Sequence, residues 1–262
     1  MKKILHCFLL LFIALSFSSC AGLQSNIFNN IFGQERSPVF TSEAHSLFLA
    51  LNEKNRELKT FKGTGRMSLS KKNGEVISAD IAWIAEDTDK IYIAVRGVLG
   101  QPIAGIATDG KYVYFASYTE KKFYKKHSDN ADLKSFISIP IKMKDIILLL
   151  SGRAPVCDFD TASTEYIENK GPVLVLNNRG ADIVEKIYFD QGSNNVMQID
   201  MLDSGDMLYR VFFDGGRFVK EYYIPSKLVI SSEAGDNFKL DINKYWADEP
   251  VSPSAFVLRS PE

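Results

Sequence analysis

The chain has 262 residues, with 31 Lys+Arg against 32 Asp+Glu and a formal net charge of −1. That balance excludes a polycation built to coat nucleic acid. Its three cysteines are Cys7, Cys20 and Cys157; only the last falls in the long folded part, so no intrachain disulfide is expected there.

Taken from the start, Lys2 and Lys3 precede an apolar run, Ile4–Phe17, too short to span a bilayer comfortably. Small residues Ser18 and Ser19 then lead to Cys20, which is the plan of a signal peptide over residues 1–19. The Phe-Ser-Ser-Cys ending resembles the lipobox of bacterial lipoproteins. That resemblance implies cleavage before Cys20 and its lipidation, with palmitate-type chains; a plain signal peptide with a chance cysteine is the alternative. Several acyl chains anchor firmly, since each buried methylene contributes about 0.8 kcal/mol. Ala21 stands where an aspartate would imply inner-membrane retention, so the resemblance implies the outer membrane of a Gram-negative bacterium, facing the periplasm. Loss of residues 1–19 removes Lys2 and Lys3 and no acid, which takes the formal charge to −3.

Residues 20–40 read as the anchor and a tether, 41–245 as one domain, and 246–262, with three prolines, as a tail along the surface. Thr41 can cap a helix over Ser42–Leu58 whose apolar stripe is Ala44, Leu47, Phe48 and Leu51. Phe61, Gly63, Gly65, Met67 and Leu69 then alternate with polar residues, a period of two. Asn73-Gly74 is a strong hairpin signal. Ile77, Ala79, Ile81, Trp83 and Ala85 share the next face, and Ile91, Ile93 and Val95 the one after. Ile103–Thr108, Lys111–Tyr118 and Lys121–Lys125 continue an antiparallel meander.

Between Asp89–Val95 and Ile103–Asp109 lies Arg96-Gly97-Val98-Leu99-Gly100-Gln101-Pro102. Its glycines and proline make it a turn, yet Val98 and Leu99 in the middle are apolar. Either they fold back onto the core, or Leu99 is held out to touch a membrane or an acyl chain.

Asn130–Ile137 has helical character. Met143–Ser151 reads as a short, very apolar helix stopped by Gly152. Ile146, Ile147, Leu148, Leu149 and Leu150 cannot all face one side, so this helix is buried or apolar on its far side. Strands resume over 165–167, 171–177, 182–189, 196–202, 207–213, 218–224, 227–231 and 238–245, with turns at 178–180, 203–205 and 214–216. About a dozen strands, an N-terminal helix and a helical insertion predict a mainly β chain whose twisted antiparallel sheet closes wholly or partly into a barrel. With 18 Phe, 11 Tyr and 2 Trp, a partly filled interior would suit an apolar ligand. Shared parity points to Ile77, Ile81, Trp83, Ile91, Ile93, Val113 and Phe115 as its lining, with Ala79 as the small position among them.

No catalytic constellation stands out. His45 and His127 have no Ser or Cys motif beside them, and Cys157 lacks a local catalytic signature. Asp158 and Asp160 would share a face on a strand, where paired carboxylates can do acid/base work or bind a cation; a loop with two solvated acids is the alternative. The run Lys121–Lys126, with Phe123 and Tyr124 inside it, could meet anionic headgroups or form a solvated hairpin face. No Gly-rich phosphate loop or metal spacing is present, so neither cofactor nor metal is expected.

One ordered set of short motifs resembles the LolB family of outer-membrane lipoproteins. It comprises Cys20, Leu58–Leu69 with Phe61-Lys62-Gly63, Ile81-Ala82-Trp83, Val98-Leu99-Gly100, Ile139-Pro140-Ile141, Asp145–Leu150 and Gly152-Arg153-Ala154-Pro155. The resemblance implies the carrier fold shared by LolA and LolB: a half-open antiparallel barrel with helices over its mouth and an apolar cavity. It implies a monomer that is no enzyme and that takes acylated lipoproteins from a periplasmic carrier and passes them to outer-membrane lipid. Val98 and Leu99 would form the loop that releases cargo, and Ile146, Leu149 and Leu150 would lie on a movable lid. A longer tether and the C-terminal tail depart from that pattern. The competing expectation is a structural or assembly lipoprotein with a self-filled barrel that binds a protein partner.

Overall fold

Period-two strands leave backbone N–H and C=O groups along both edges, so each strand must find a neighbour. The computed structural model of the protein, which describes residues 37–97, 99–128, 133–168, 171–192 and 195–261, shows how they are paired. Cys20, Val98 and the 130–132 start of the expected helical segment lie outside the described residues.

After β1 (Val39–Phe40) and helix α1 (Ser42–Glu53), a first meander runs through β2 (Thr60–Ser70), β3 (Val76–Glu86), β4 (Lys90–Arg96), β5 (Pro102–Asp109), β6 (Tyr112–Ser117) and β7 (Lys122–His127). A crossover carries the single-turn α2 (Lys134–Ile137) and α3 (Met143–Leu150). The second meander is β8 (Thr161–Ile167), β9 (Gly171–Asn178), β10 (Ile183–Phe189), β11 (Val196–Asp203), β12 (Asp206–Val219), β13 (Tyr222–Ser232) and β14 (Asn237–Ala247). All fourteen strands form one sheet, ordered β1-β8-β9-β10-β11-β12-β13-β14-β2-β3-β4-β5-β6-β7. It is open, with β1 and β7 as its edges. Only β1 runs parallel to its neighbour. The two meanders meet at a seam where β14 pairs with β2, Leu240 opposite Met67 and Tyr245 opposite Gly63.

The topology explains where the apolar helix goes. The chain ends its first meander at the β7 edge and must reach β8 on the other side, so the crossover passes over the inner face of the sheet. Six of the eight α3 residues are buried there: Met143, Ile146, Ile147, Leu148, Leu149 and Leu150. Ile146, Ile147, Leu149 and Leu150 share one core with Ile81, Trp83 and Ile91 of the first meander and Leu176, Ile187 and Val211 of the second. An α-helix expected over the mouth of the barrel is therefore packed into its interior. At its C-terminal end Gly152 takes φ +71°, where a Cβ would stand 2.6 Å from the Tyr223 carbonyl oxygen.

Several sequence-based boundaries change, among them β8, which starts at Thr161 rather than 165. Helix α1 is capped as expected, with Thr41 Oγ1 accepting the Ala44 N–H at 3.4 Å, but it ends at Glu53 rather than Leu58. Asn55 stops it by taking φ +50°, a left-handed conformation that Asn tolerates. Its amide then ties the end of α3 to β13, donating to the carbonyls of Ser151 at 2.8 Å and Tyr223 at 2.9 Å and accepting the Tyr223 N–H. Asp214-Gly215-Gly216 is not a turn, and 218–224 is not one strand. β12 runs through the glycines to Val219, and the chain reverses at Lys220-Glu221. The glycines do a different job: a Cβ on Gly216 would lie 2.4 Å from the Tyr223 ring, so its absence lets that ring cross the strand. Finally, the 246–262 tail does more than lie on the surface. A 3-10 turn at Pro253–Phe256 packs on β4 and β5 and buries Phe256.

Candidate functional site

Alternation places the expected lining residues, and register decides how each is covered. Ile81, Trp83, Ile91 and Val113 are buried in the main core, Ala79 is buried beside them, and Ile93 packs half-buried against it. Phe115 is half-buried and its ring lies 6.1 Å from Tyr124 near the β7 edge. Ile77 is different. Its parity is right, opposite Leu69, but the last β3–β4 pair is Asp80 with Arg96. The start of β3 projects past that pair, so Ile77 is 40% exposed and Val76 more so.

Trp83 lies over Gly63, where a Cβ would come within 2.2 Å of its ring. Tyr245 flanks the same glycine from the seam. Both side chains are buried, and among the described residues neither Trp83 Nε1 nor Tyr245 Oη has a hydrogen-bond partner. Two unpaired buried donors side by side are unusual, because each costs free energy that a partner would recover.

The turn between β4 and β5 is closed by the Gly97 N–H donating to the Gln101 carbonyl at 2.9 Å and the Gly100 N–H to the Gly97 carbonyl at 2.8 Å. Gly100 has φ +79°, and the register slips between Val95 and Arg96 where β4 meets β5. That geometry holds Leu99 outward, 92% exposed. The β4–β5 turn shares its rim of the sheet with the β2–β3, β9–β10 and β11–β12 turns, so Leu99, Val76 and Ile77 are exposed apolar residues at one rim.

Two cavities mark the ends of α3. One, about 290 Å³, lies at its start on the Leu99 rim, bordered by Pro140, Lys142, Asp145, Cys157, Ile183, Met201 and Tyr209. The other, about 120 Å³, lies past its end, between Leu51, Lys54, Ala154, Phe213 and Tyr223. Lys54 Nζ there donates to Asn195 Oδ1 at 2.5 Å and sits 4.8 Å from the Tyr223 ring centre.

The remaining candidates stay apart from one another. His45 packs edge-on to Phe40 at 5.2 Å, and His127 edge-on to Tyr112 at 5.5 Å. Asp160 Oδ2 accepts the Arg179 N–H, while Asp158 borders the larger cavity; both lie in the loop before β8. The basic run forms the exposed edge strand β7, with Lys125 3.9 Å above the Tyr112 ring. Burial and neighbouring acids push the Cys157 thiol well above its ordinary range, which leaves it protonated and unreactive.

Sequence reasoning missed Glu185. It occupies the apolar parity of β10, between Ile183 and Ile187, and a lone carboxylate on that face was the signal.

No family model and no curated protein sequence matches the chain. Solved structures do. A DUF1329 family protein from Desulfovibrio piger aligns with a TM-score of 0.63 at 11% identity, over 82% of this chain and 96% of its own. A LolA superfamily protein from Nitrosomonas europaea aligns at 0.57 and 11% identity, over 82% and 97%. The fold is LolA-like. A putative outer membrane lipoprotein-sorting protein domain from Vibrio parahaemolyticus matches this LolA-like fold equally, at 0.57 and 11%, over 82% and 94%. At such identities the likeness concerns the fold and no individual residue.

Proposed function

We propose that the protein is an outer-membrane-anchored, LolB-like receptor that binds the acyl chains of lipoproteins and passes them to the membrane. The exposed Leu99 carries this reading. A bulky apolar side chain held into solvent by a closed Gly/Pro turn has no role in the core, and it suits contact with lipid. The LolA-like fold and the two cavities flanking α3 support it. Lipid attached at Cys20 would hold the receptor at the outer membrane, and a periplasmic carrier would supply acylated cargo. Transfer then runs downhill without ATP if the receptor binds acyl chains more tightly than the carrier and less tightly than the bilayer. Displacement of α3 as a lid, through Ile146, Leu149 and Leu150, would open Ile81, Trp83, Ile91, Ile93, Val113 and Phe115 to the chains. The Trp83 and Tyr245 donors would then meet an acyl carbonyl.

Leu99→Glu tests this. Stability by urea unfolding should change by no more than about 0.5 kcal/mol, as for an ordinary surface site. The variant should still take an acylated lipoprotein from its carrier but deliver it poorly to liposomes. Normal delivery by a normally folded variant would remove the role assigned to Leu99.

A second reading, a structural or assembly lipoprotein that binds a protein partner, is favoured by one observation: α3 fills the inner face of the sheet. Mass spectrometry of the purified chain separates the two. Co-purified acyl chains support the receptor, and a ligand-free core with a stable protein partner supports the alternative.

A further inference from the structure

We propose that the free edge of β7 is a docking site for an extended, acidic segment of another protein, which pairs with it as a further strand of the sheet.

The two ends of the sheet are finished differently. At one end β1 covers the start of β8, with Val39 opposite Thr161 and Phe40 opposite Ala162. Helix α1 packs against the same strand, where the Tyr166 hydroxyl donates to Glu43. At the other end β7 has β6 on one side and no strand on the other. All six of its residues are exposed except the half-buried Phe123. The ladder tells which backbone groups are left over. The Ser128 N–H donates to the Lys111 carbonyl at 3.0 Å, and bonding residues alternate along an antiparallel pair. Lys126, Tyr124 and Lys122 therefore bond β6, while Phe123 and Lys125 turn their N–H and C=O groups outward. Such an edge is a template for one more strand.

Charge selects that strand. The β6–β7 hairpin, residues 111–127, carries five lysines and one glutamate, a net +4 in a chain of net −1. Glu120 pairs with Lys122 at 2.7 Å, and among the described residues Lys121, Lys125 and Lys126 have no carboxylate partner. Register divides the lysines. Lys122, Tyr124 and Lys126 lie opposite Ser117, Phe115 and Val113 on the inner face, and Lys125 lies opposite Tyr114 on the outer face. A flat surface laid on either face meets only part of this charge. A strand laid along the edge meets all of it, because its own side chains alternate between the same two faces. A bilayer edge-on to β7 would supply anions but no N–H groups for the outward carbonyls. A second copy of this edge is repelled by like charge, and the same charge admits a strand of opposite sign. Tyr124, 49% exposed, sits between the lysines and suits an apolar residue at the middle of the segment. None of these residues borders either cavity, and the proposal does not rest on acyl binding.

Nuclear magnetic resonance on the nitrogen-15-labelled full chain tests it with the capped peptide Thr-Glu-Glu-Val-Thr-Glu-Thr. Its glutamates fall opposite Lys126, Lys125 and Lys122 when it runs antiparallel to β7. The peptide should slow hydrogen exchange at the Phe123 and Lys125 amides. The Lys122, Tyr124 and Lys126 amides, already bonded to β6, should change little. The same peptide with glutamine for glutamate, and the same peptide N-methylated at every residue, should each bind at least about tenfold more weakly. Lys125→Glu should also weaken binding at least about tenfold, and Lys244→Glu on β14 should not. Should Lys125→Glu misfold, the peptide series on the natural chain gives the same reading. No protection of Phe123 and Lys125 at millimolar peptide, or equal binding by the glutamine or N-methylated peptide, would overturn the proposal. So would binding to phosphatidylglycerol vesicles without protection by the peptide, which would assign the lysines to a bilayer.

Discussion

Leu149→Asp is expected to destabilise the fold by about 5 kcal/mol or more, enough to unfold many domains outright. Leu149 is fully buried in the last turn of α3, inside the core shared by both meanders. An aspartate there either ionises in an apolar setting or takes up a proton, and both cost free energy. It also leaves a void where the leucine methyls were. Lys144→Asp on the exposed side of the same helix should change stability by no more than about 0.5 kcal/mol. Urea midpoints for the two variants compare them directly. Near-equal effects would mean that α3 is loosely held, as a lid riding above the sheet would be.

Arg210→Met is expected to cost about 3 kcal/mol, at the low end for breaking a buried ion pair because Arg210 is itself partly exposed. Its guanidinium donates from Nε and Nη2 to the two carboxylate oxygens of Asp200, at 2.6 and 2.7 Å, on the outer face of β11 and β12. Tyr188 Oη at 3.1 Å and Gln198 Nε2 at 2.8 Å complete the carboxylate's partners. Methionine keeps the packing of the stem and removes the charge, so a buried acid loses its countercharge. The double variant Arg210→Met with Asp200→Asn should recover part of the loss, and its melting temperature checks this. A single variant that melts like the natural chain would show that water replaces the guanidinium without cost.

How much of this was legible in the sequence depends on the range of the interaction. Alternation in Phe61–Leu69 and Ala79–Ala85, the Asn73-Gly74 hairpin and the Thr41 cap are local, and the structure carries each of them. The Gly215-Gly216 pair misled because a glycine pair marks either a turn or a place where a side chain crosses a strand. Only the position of Tyr223 on β13 decides between them. The end of α1 was hidden for a similar reason, since Asn55 stops the helix through bonds to Ser151 and Tyr223, far along the chain. Leu150 and its neighbours announced a buried helix, but not that the crossover would draw it across the inner face. Ile77 had the right parity and the wrong cover, because strand parity does not reveal where the neighbouring strand stops.

The seam between β2 and β14 has a consequence for the order of folding. Each meander is made of hairpins whose strands are neighbours in sequence, so each can assemble by fast local steps. The seam joins 60–70 to 237–247 and closes the longest loop in the sheet. Until β14 is present, β2 and β13 are raw edges, able to pair with any extended chain nearby. A nascent or truncated chain lacking β14 is thus two unjoined arms with an uncovered α3. β14 works as a latch, and the sheet becomes continuous only once it has paired with β2.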